Sequence, residues 1–176
     1  MKIKDLSLKD LAITVSDYLR KNGIETVLSG GACVSIYSNN KFMSYDLDFV
    51  LISVDEQKKV KELLSKIGFF PQNRYYRHND TEYFLDFVPP PPSVGEEPVK
   101  EIVEIRKKNR TLKLLSPTDC VKDRLAAYYY WNDRQSLKQA ILVCKDNNVD
   151  LREVERWSEN EGEGPKYKKF LVYLSE

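Results

Sequence analysis

Two aspartates separated by a single residue, inside an otherwise apolar run, constrain this chain more than any other feature. The run is YDLDFVLI, Tyr45 to Ile52. In a strand, successive side chains alternate between faces, so Asp46 and Asp48 point one way while Tyr45, Leu47, Phe49 and Leu51 point the other. The second set asks for burial. The first sets two like charges side by side on the same element, which costs free energy unless a cation lies between them.

Around this strand the pattern alternates helix and strand. Apolar residues at Leu8, Leu11, Ala12, Val15, Tyr18 and Leu19 predict an amphipathic helix over 6–21, with Ser7 as N-cap. Gly23 stops it, a short strand follows over 25–28, and Gly30-Gly31 opens a second helix. VDEQKKVKELLSKIG has an acidic start, a helical apolar spacing and a terminal glycine. FFPQNRYYRHND and TEYFLDFVP read as two strands around Asn79-Asp80, the second carrying Asp86. The proline run from Pro89 to Pro98 reads as a stiff surface connection, because proline has no amide to give a ladder. KEIVEI and TLKLL form a hairpin near Asn109. From Ser116 the chain turns helical, with Ser at N-cap and Pro117 at N1, and at least three helices follow. The expectation is an α/β (α+β) body, a small mixed sheet flanked by helices over 1–115, with a C-terminal helical segment over 116–176 packed on it.

A chain of 176 residues suffices for one core. Its 28 basic and 27 acidic residues leave a net charge of +1, so the composition carries no strong duplex nucleic-acid signal. A local basic patch remains in RKKNRTLK, Arg106 to Lys113. Cys33, Cys120 and Cys144 fit neither a disulfide framework nor a zinc spacing and read as small buried side chains. With no signal-peptide core and no window of about 20 apolar residues, the protein is expected in the cytoplasm, with no membrane partner.

The chemistry lies in the order of parts: a strand ending LSGG, a helix beginning there, a strand with DLD, and a later strand with LDF. Glycines at a helix N-terminus let backbone amides approach a phosphate. An Asp-x-Asp pair on the next strand suits Mg²⁺ or Mn²⁺, and a third carboxylate completes a site for phosphoryl displacement. With these residues the chain resembles the nucleotidyltransferase fold superfamily, the DNA polymerase β-like group, over 25–88. Its helical part is similar to the C-terminal helices of stand-alone bacterial and archaeal members, including those of abortive-infection and toxin-antitoxin systems.

The resemblance implies transfer of a nucleoside monophosphate from a nucleoside triphosphate to a hydroxyl on a protein, an RNA end or a small molecule. Asp46, Asp48 and Asp86 become the catalytic and metal-binding acids; Ser29, Gly30, Gly31 and Lys122 become the nucleotide contacts. Lys122 is favoured among the charged helix residues Lys122, Asp123, Arg124, Asp133 and Arg134. There are departures from the family pattern. Fourteen residues separate Gly31 from Asp46; Gly-Gly stands where many members have Gly-Ser; and the arginine often found before the Asp pair is absent, Lys41 being the nearest base. The alternative is a catalytically inactive member of this fold that binds a nucleotide or a protein partner, for example in a toxin-antitoxin pair. Convergence of the three carboxylates discriminates between the two readings.

Overall fold

The computed structural model describes residues 2–54 and 56–176. Helix α1 (Leu8–Lys21) is capped by Ser7, whose hydroxyl accepts from the Asp10 amide at 3.2 Å. Strand β1 (Thr26–Ser29) runs straight into α2 (Gly30–Tyr37), and β2 (Asp46–Leu51) and α3 (Gln57–Lys66) follow. The acidic start expected of α3 includes Asp55, which lies outside the described residues; Glu56 takes the N-cap position. Strands β3 (Phe70–Gln72), β4 (Tyr75–Arg77) and β5 (Phe84–Val88) come next, then β6 (Ser93–Val94), β7 (Glu97–Pro98), β8 (Ile102–Lys107) and β9 (Arg110–Leu115). Four helices close the chain: α4 (Pro117–Trp131), α5 (Arg134–Asp146), α6 (Leu151–Asn160) and α7 (Gly164–Ser175).

Seven strands form one mixed sheet in the order β3-β4-β5-β2-β1-β9-β8. The middle of that order carries the long-range logic. β1 pairs antiparallel with β2 and parallel with β9, while β2 pairs parallel with β5. Helices α1, α2 and α4 pack on these central strands, α5 packs on α2 and α4, and α7 packs on α5 and α6. The core between the layers includes Val27, Leu28, Leu47, Phe49 and Leu114, all buried. At roughly 25 cal/mol per Å² of apolar surface removed from water, such burial holds the sheet and fixes its register, since a one-residue slip would turn Leu47 and Phe49 out.

The structure departs from the sequence expectation in three places. FFPQNRYYRHND is a hairpin of its own, β3 and β4, turning at Asn73 with a left-handed φ of 56°. Asparagine tolerates that conformation, and Pro71 is accommodated because β3 is the edge strand. The proline run contains a second small hairpin, β6 with β7, pinned by Trp157, whose indole N–H donates to the Val94 carbonyl at 3.2 Å. Strand β2 begins at Asp46 and leaves Tyr45 half exposed, stacked on Tyr83.

The C-terminal helices are held by charge as well as packing. Lys122 on α4 is buried, with Nζ 3.2 Å from Asp119 and 2.7 Å from Glu153 of α6. Glu153 also pairs with Lys100 and Arg156, and Arg156 reaches Glu97 in β7 at 2.6 Å. These cationic partners hold the Glu153 carboxyl well below the usual range, Arg156 foremost. Truncating Lys122 would leave Asp119 buried without a counter-charge. Urea unfolding is therefore expected to show Lys122→Ala destabilised by about 3 kcal/mol, with much of the loss recovered when Lys122→Met is combined with Asp119→Asn.

Candidate active site

Three adjacent strands bring three side chains into one row. Ser29 of β1 is the register partner of Asp48 of β2, and Asp48 is the partner of Asp86 of β5. Register partners share a face and neighbouring strands lie about 4.8 Å apart, so Ser29, Asp48 and Asp86 line the same side of the sheet. Asp46, two residues before Asp48, joins them on that face.

Gly30 follows Ser29 and begins α2 with φ +66°, and a Cβ built on it would lie 2.3 Å from Oδ2 of Asp48. Only glycine fits: the φ is disfavoured for other residues and the carboxylate occupies the space. Gly31 is more permissive. A Cβ there would come to 3.0 Å from the Ser44 hydroxyl. That hydroxyl donates to Asp46 Oδ1 at 2.6 Å, so Ser44 orients the first acid from the flank where a side chain at 31 would point. Ser29 Oγ donates to the Asp48 carbonyl at 3.3 Å and makes no side-chain cap on α2, so the amides opening that helix are not capped by Ser29.

Electrostatics single out Asp48. Burial, then the charges of Asp46 and Asp86, push its carboxyl up to about 7, and Arg124 of α4 acts in the opposite sense. No ion pair to Asp48 or Asp46 occurs among the described residues. Arg124 lends its field from a position bonded to Asp123 at 2.6 Å and Gln139 at 3.3 Å. Asp86 is differently placed: its Oδ2 accepts from Arg74 at 2.7 Å and its Oδ1 from the Phe87 amide at 3.0 Å. Among the described residues, no group of three His, Cys, Asp or Glu side chains stands close enough to hold a metal ion. The sheet thus aligns the acids, while Arg74 takes the third. Asp46 and Asp48 remain a two-carboxylate donor set of the hard-oxygen kind that suits Mg²⁺, which keeps waters and substrate oxygens in the rest of its shell.

Lys122, expected at the triphosphate, is tied up between Asp119 and Glu153 instead. The helical periodicity separates the two: two residues along α4 points another way, so Lys122 meets Glu153 of α6 while Arg124 bonds Asp123 and, on α5, Gln139. Asp133 caps α5 and Tyr129 is buried against Trp157, as core and cap residues are. His78 packs on Phe69 and accepts from the Asp80 amide. Sequence reasoning missed Ser44 and Arg74. A serine two residues before Asp46 is a local signal for the first, and nothing local signals the second, because Arg74 meets Asp86 only through the pairing of β3, β4 and β5. A hollow of about 770 Å³ between the starts of α4 and α6 has none of these residues in its walls.

This fold is that of the nucleotidyltransferase-like proteins. An antigenic nucleotidyltransferase-like protein from Paracoccidioides brasiliensis superimposes with a TM-score of 0.60 at 16% identity, covering 77% of this chain and 74% of that one. The crystal structure of ANT(2″)-Ia in complex with adenylyl-2″-tobramycin gives 0.52 at 10% identity, covering 88% and 93%. The solution structure of the same antibiotic-resistance factor gives 0.51 at 11%, covering 92% and 91%. No protein-family model matches the chain, and no curated protein matches it in sequence.

An Asp48 carboxyl titrating at about 7, against an ordinary 3.8, sets the pH dependence. Its folded-state pKa is raised, so its contribution to stability is present in full below the unfolded value and is lost as pH rises through 7. Asp48→Asn in metal-free buffer is expected to stabilise the protein at pH 8 by on the order of 3 kcal/mol. At pH 4 the difference should nearly vanish, as thermal melts across the range would show.

Proposed function

We propose that this protein is a metal-dependent nucleotidyltransferase that moves a nucleoside monophosphate from a nucleoside triphosphate to a hydroxyl acceptor. The observation that carries this is the Asp48 carboxyl, half-buried beside Asp46, in line with Asp86 and pressed on Gly30, with no ion-pair partner among the described residues. A half-buried acid with a raised pKa in such a setting is a functional-site signature.

Asp46 and Asp48 would hold Mg²⁺ or Mn²⁺, with Ser44 fixing the first carboxylate by its 2.6 Å hydrogen bond. Such an ion, when bound, neutralises charge on the triphosphate and on the leaving pyrophosphate. Gly30 and Gly31 let the triphosphate approach the start of α2, where backbone N–H groups and the helix dipole favour anions. Arg124 of α4, ion-paired with Asp123, partly offsets the negative charge at Asp48. The acceptor hydroxyl attacks the α-phosphorus, the bond to pyrophosphate breaks, and the hydroxyl proton passes to Asp86 once Arg74 has released it. Catalysis on this account is positioning and charge neutralisation. A hydroxyl acceptor agrees with the adenylyl-tobramycin held by ANT(2″)-Ia, and here a protein, an RNA end and a small molecule all satisfy the chemistry. The cytoplasm, with its Mg²⁺-nucleotides and reducing conditions for three free cysteines, is the proposed place of action.

A second reading is a nucleotide- or protein-binding module without catalysis, as in a toxin-antitoxin pair. One observation favours it: Asp86 is paired with Arg74 rather than gathered with the other acids.

Calorimetric titration with ATP, GTP, CTP and UTP decides between them before any acceptor is known. The expected result is binding of at least one nucleotide that requires Mg²⁺ or Mn²⁺ and weakens roughly 100-fold, about 3 kcal/mol, when Asp46→Asn and Asp48→Asn are combined. Nucleotide binding indifferent to the metal and to both substitutions would support the module and sink the transferase.

A further inference from the structure

We propose that Arg74 is a built-in counter-ion for the third acid, holding Asp86 in the place a second divalent cation would otherwise take, so that the resting site accepts a single ion on Asp46 and Asp48. The inference rests on the reading that this pair takes a divalent cation.

Three observations converge on it. Asp86 is the register partner of Asp48, so its carboxylate is on the face where a shared metal site would need it. Both of its oxygens are nonetheless engaged, Oδ2 by the Arg74 guanidinium at 2.7 Å and Oδ1 by the Phe87 amide at 3.0 Å. Third, the three aspartates form no metal-holding group among the described residues, although the sheet aligns them. The charge balance explains why the pairing is useful. A guanidinium on Asp86 reduces the repulsion that Asp48 feels from its neighbour and leaves Asp46 and Asp48 as the unneutralised pair.

The pairing is also built to release. The Arg74 side chain is 68% exposed while that of Asp86 is only 13% exposed, so the acid is fixed in the sheet and the base reaches it from solvent. Because the arginine side of the pair is open to solvent, an incoming triphosphate or cation can compete for it. Arg74 also sits beside the turn at Asn73, with its guanidinium 4.8 Å from the centre of the Tyr75 ring, a surface that keeps it in place when the acid is surrendered. In the free protein Arg74 is thus a positioning residue. It sets how many cations the site takes and keeps Asp86 unavailable as a base until substrate draws the guanidinium away.

Mn²⁺ alone is the probe, followed by calorimetry and by the paramagnetic signal of free Mn²⁺, with no nucleotide present. Wild type is expected to bind one ion per chain, and Arg74→Gln to bind it about threefold to tenfold more tightly or to take a second ion. Arg74→Lys should stay near wild type. Arg77→Gln, which removes an equal charge from the same hairpin where Arg77 stacks on Phe84 rather than pairing with an acid, should change little. Arg74→Gln matching wild type in affinity and stoichiometry, or Arg77→Gln shifting as much as Arg74→Gln, would overturn the inference while leaving the metal pair standing. Mn²⁺ binding that survives Asp48→Asn unchanged, or no binding by any of these proteins, would remove the metal reading and this inference with it.

Discussion

The Asp48 carboxylate lies so close to the backbone of Gly30 that a Cβ would sit 2.3 Å from it, and much of the structure follows from that contact. For the carboxylate to be there, β2 must run beside β1 with Ser29 opposite Asp48, and β1 must end in a left-handed glycine that starts α2 at once. For β2 to be there, Leu47 and Phe49 must be buried on its other face, under the layer that α1, α2 and α4 help to form. The apolar side of the strand thus provides the free energy that holds two acids where water alone would not keep them. What results is stored electrostatic strain at one position. Strain of that kind is tolerated in folded proteins where a ligand relieves it.

Much of this was legible in the sequence because it is local. Alternation within YDLDFVLI separates the acids from the apolar residues, and Gly30-Gly31 after a short strand marks the turn into a helix. Ser7 and Ser116-Pro117 announce helix starts that the structure contains. What stayed hidden depends on pairing between distant segments. That Asp86 stands level with Asp48 is a property of the β2–β5 register, and that Arg74 reaches Asp86 requires a hairpin turning at Asn73, which a continuous strand through that stretch conceals. Lys122 was misplaced for a similar reason. A basic residue on a helix is easy to find, but which face it presents depends on what covers the helix, and α6 with Glu153 covers that one.

The same contrast separates fold from function. Likeness to solved nucleotidyltransferase-like structures at 10% to 16% identity establishes an architecture. Activity depends on a few side chains whose state the architecture leaves open. Here those side chains are in two conditions at once: among the described residues Asp46 and Asp48 have no ion-pair partner, while Asp86 is held by Arg74. On the proposed function, a cation on Asp46 and Asp48 and a substrate complete this aligned set of acids. Arg74, exposed at the hairpin turn, is the part of this set that the proposal lets move.

On the proposed function, the Asp46–Asp48 pair is the seat of a divalent ion carrying a nucleotide. The most direct test is a crystal structure grown with Mn²⁺ and a non-hydrolysable nucleoside triphosphate, read by its anomalous scattering. An anomalous peak in contact with both Asp46 and Asp48, and a triphosphate lying along Gly30 and Gly31, is the predicted result. A nucleotide bound elsewhere, or an acid pair with no manganese at saturating metal and nucleotide, would contradict it.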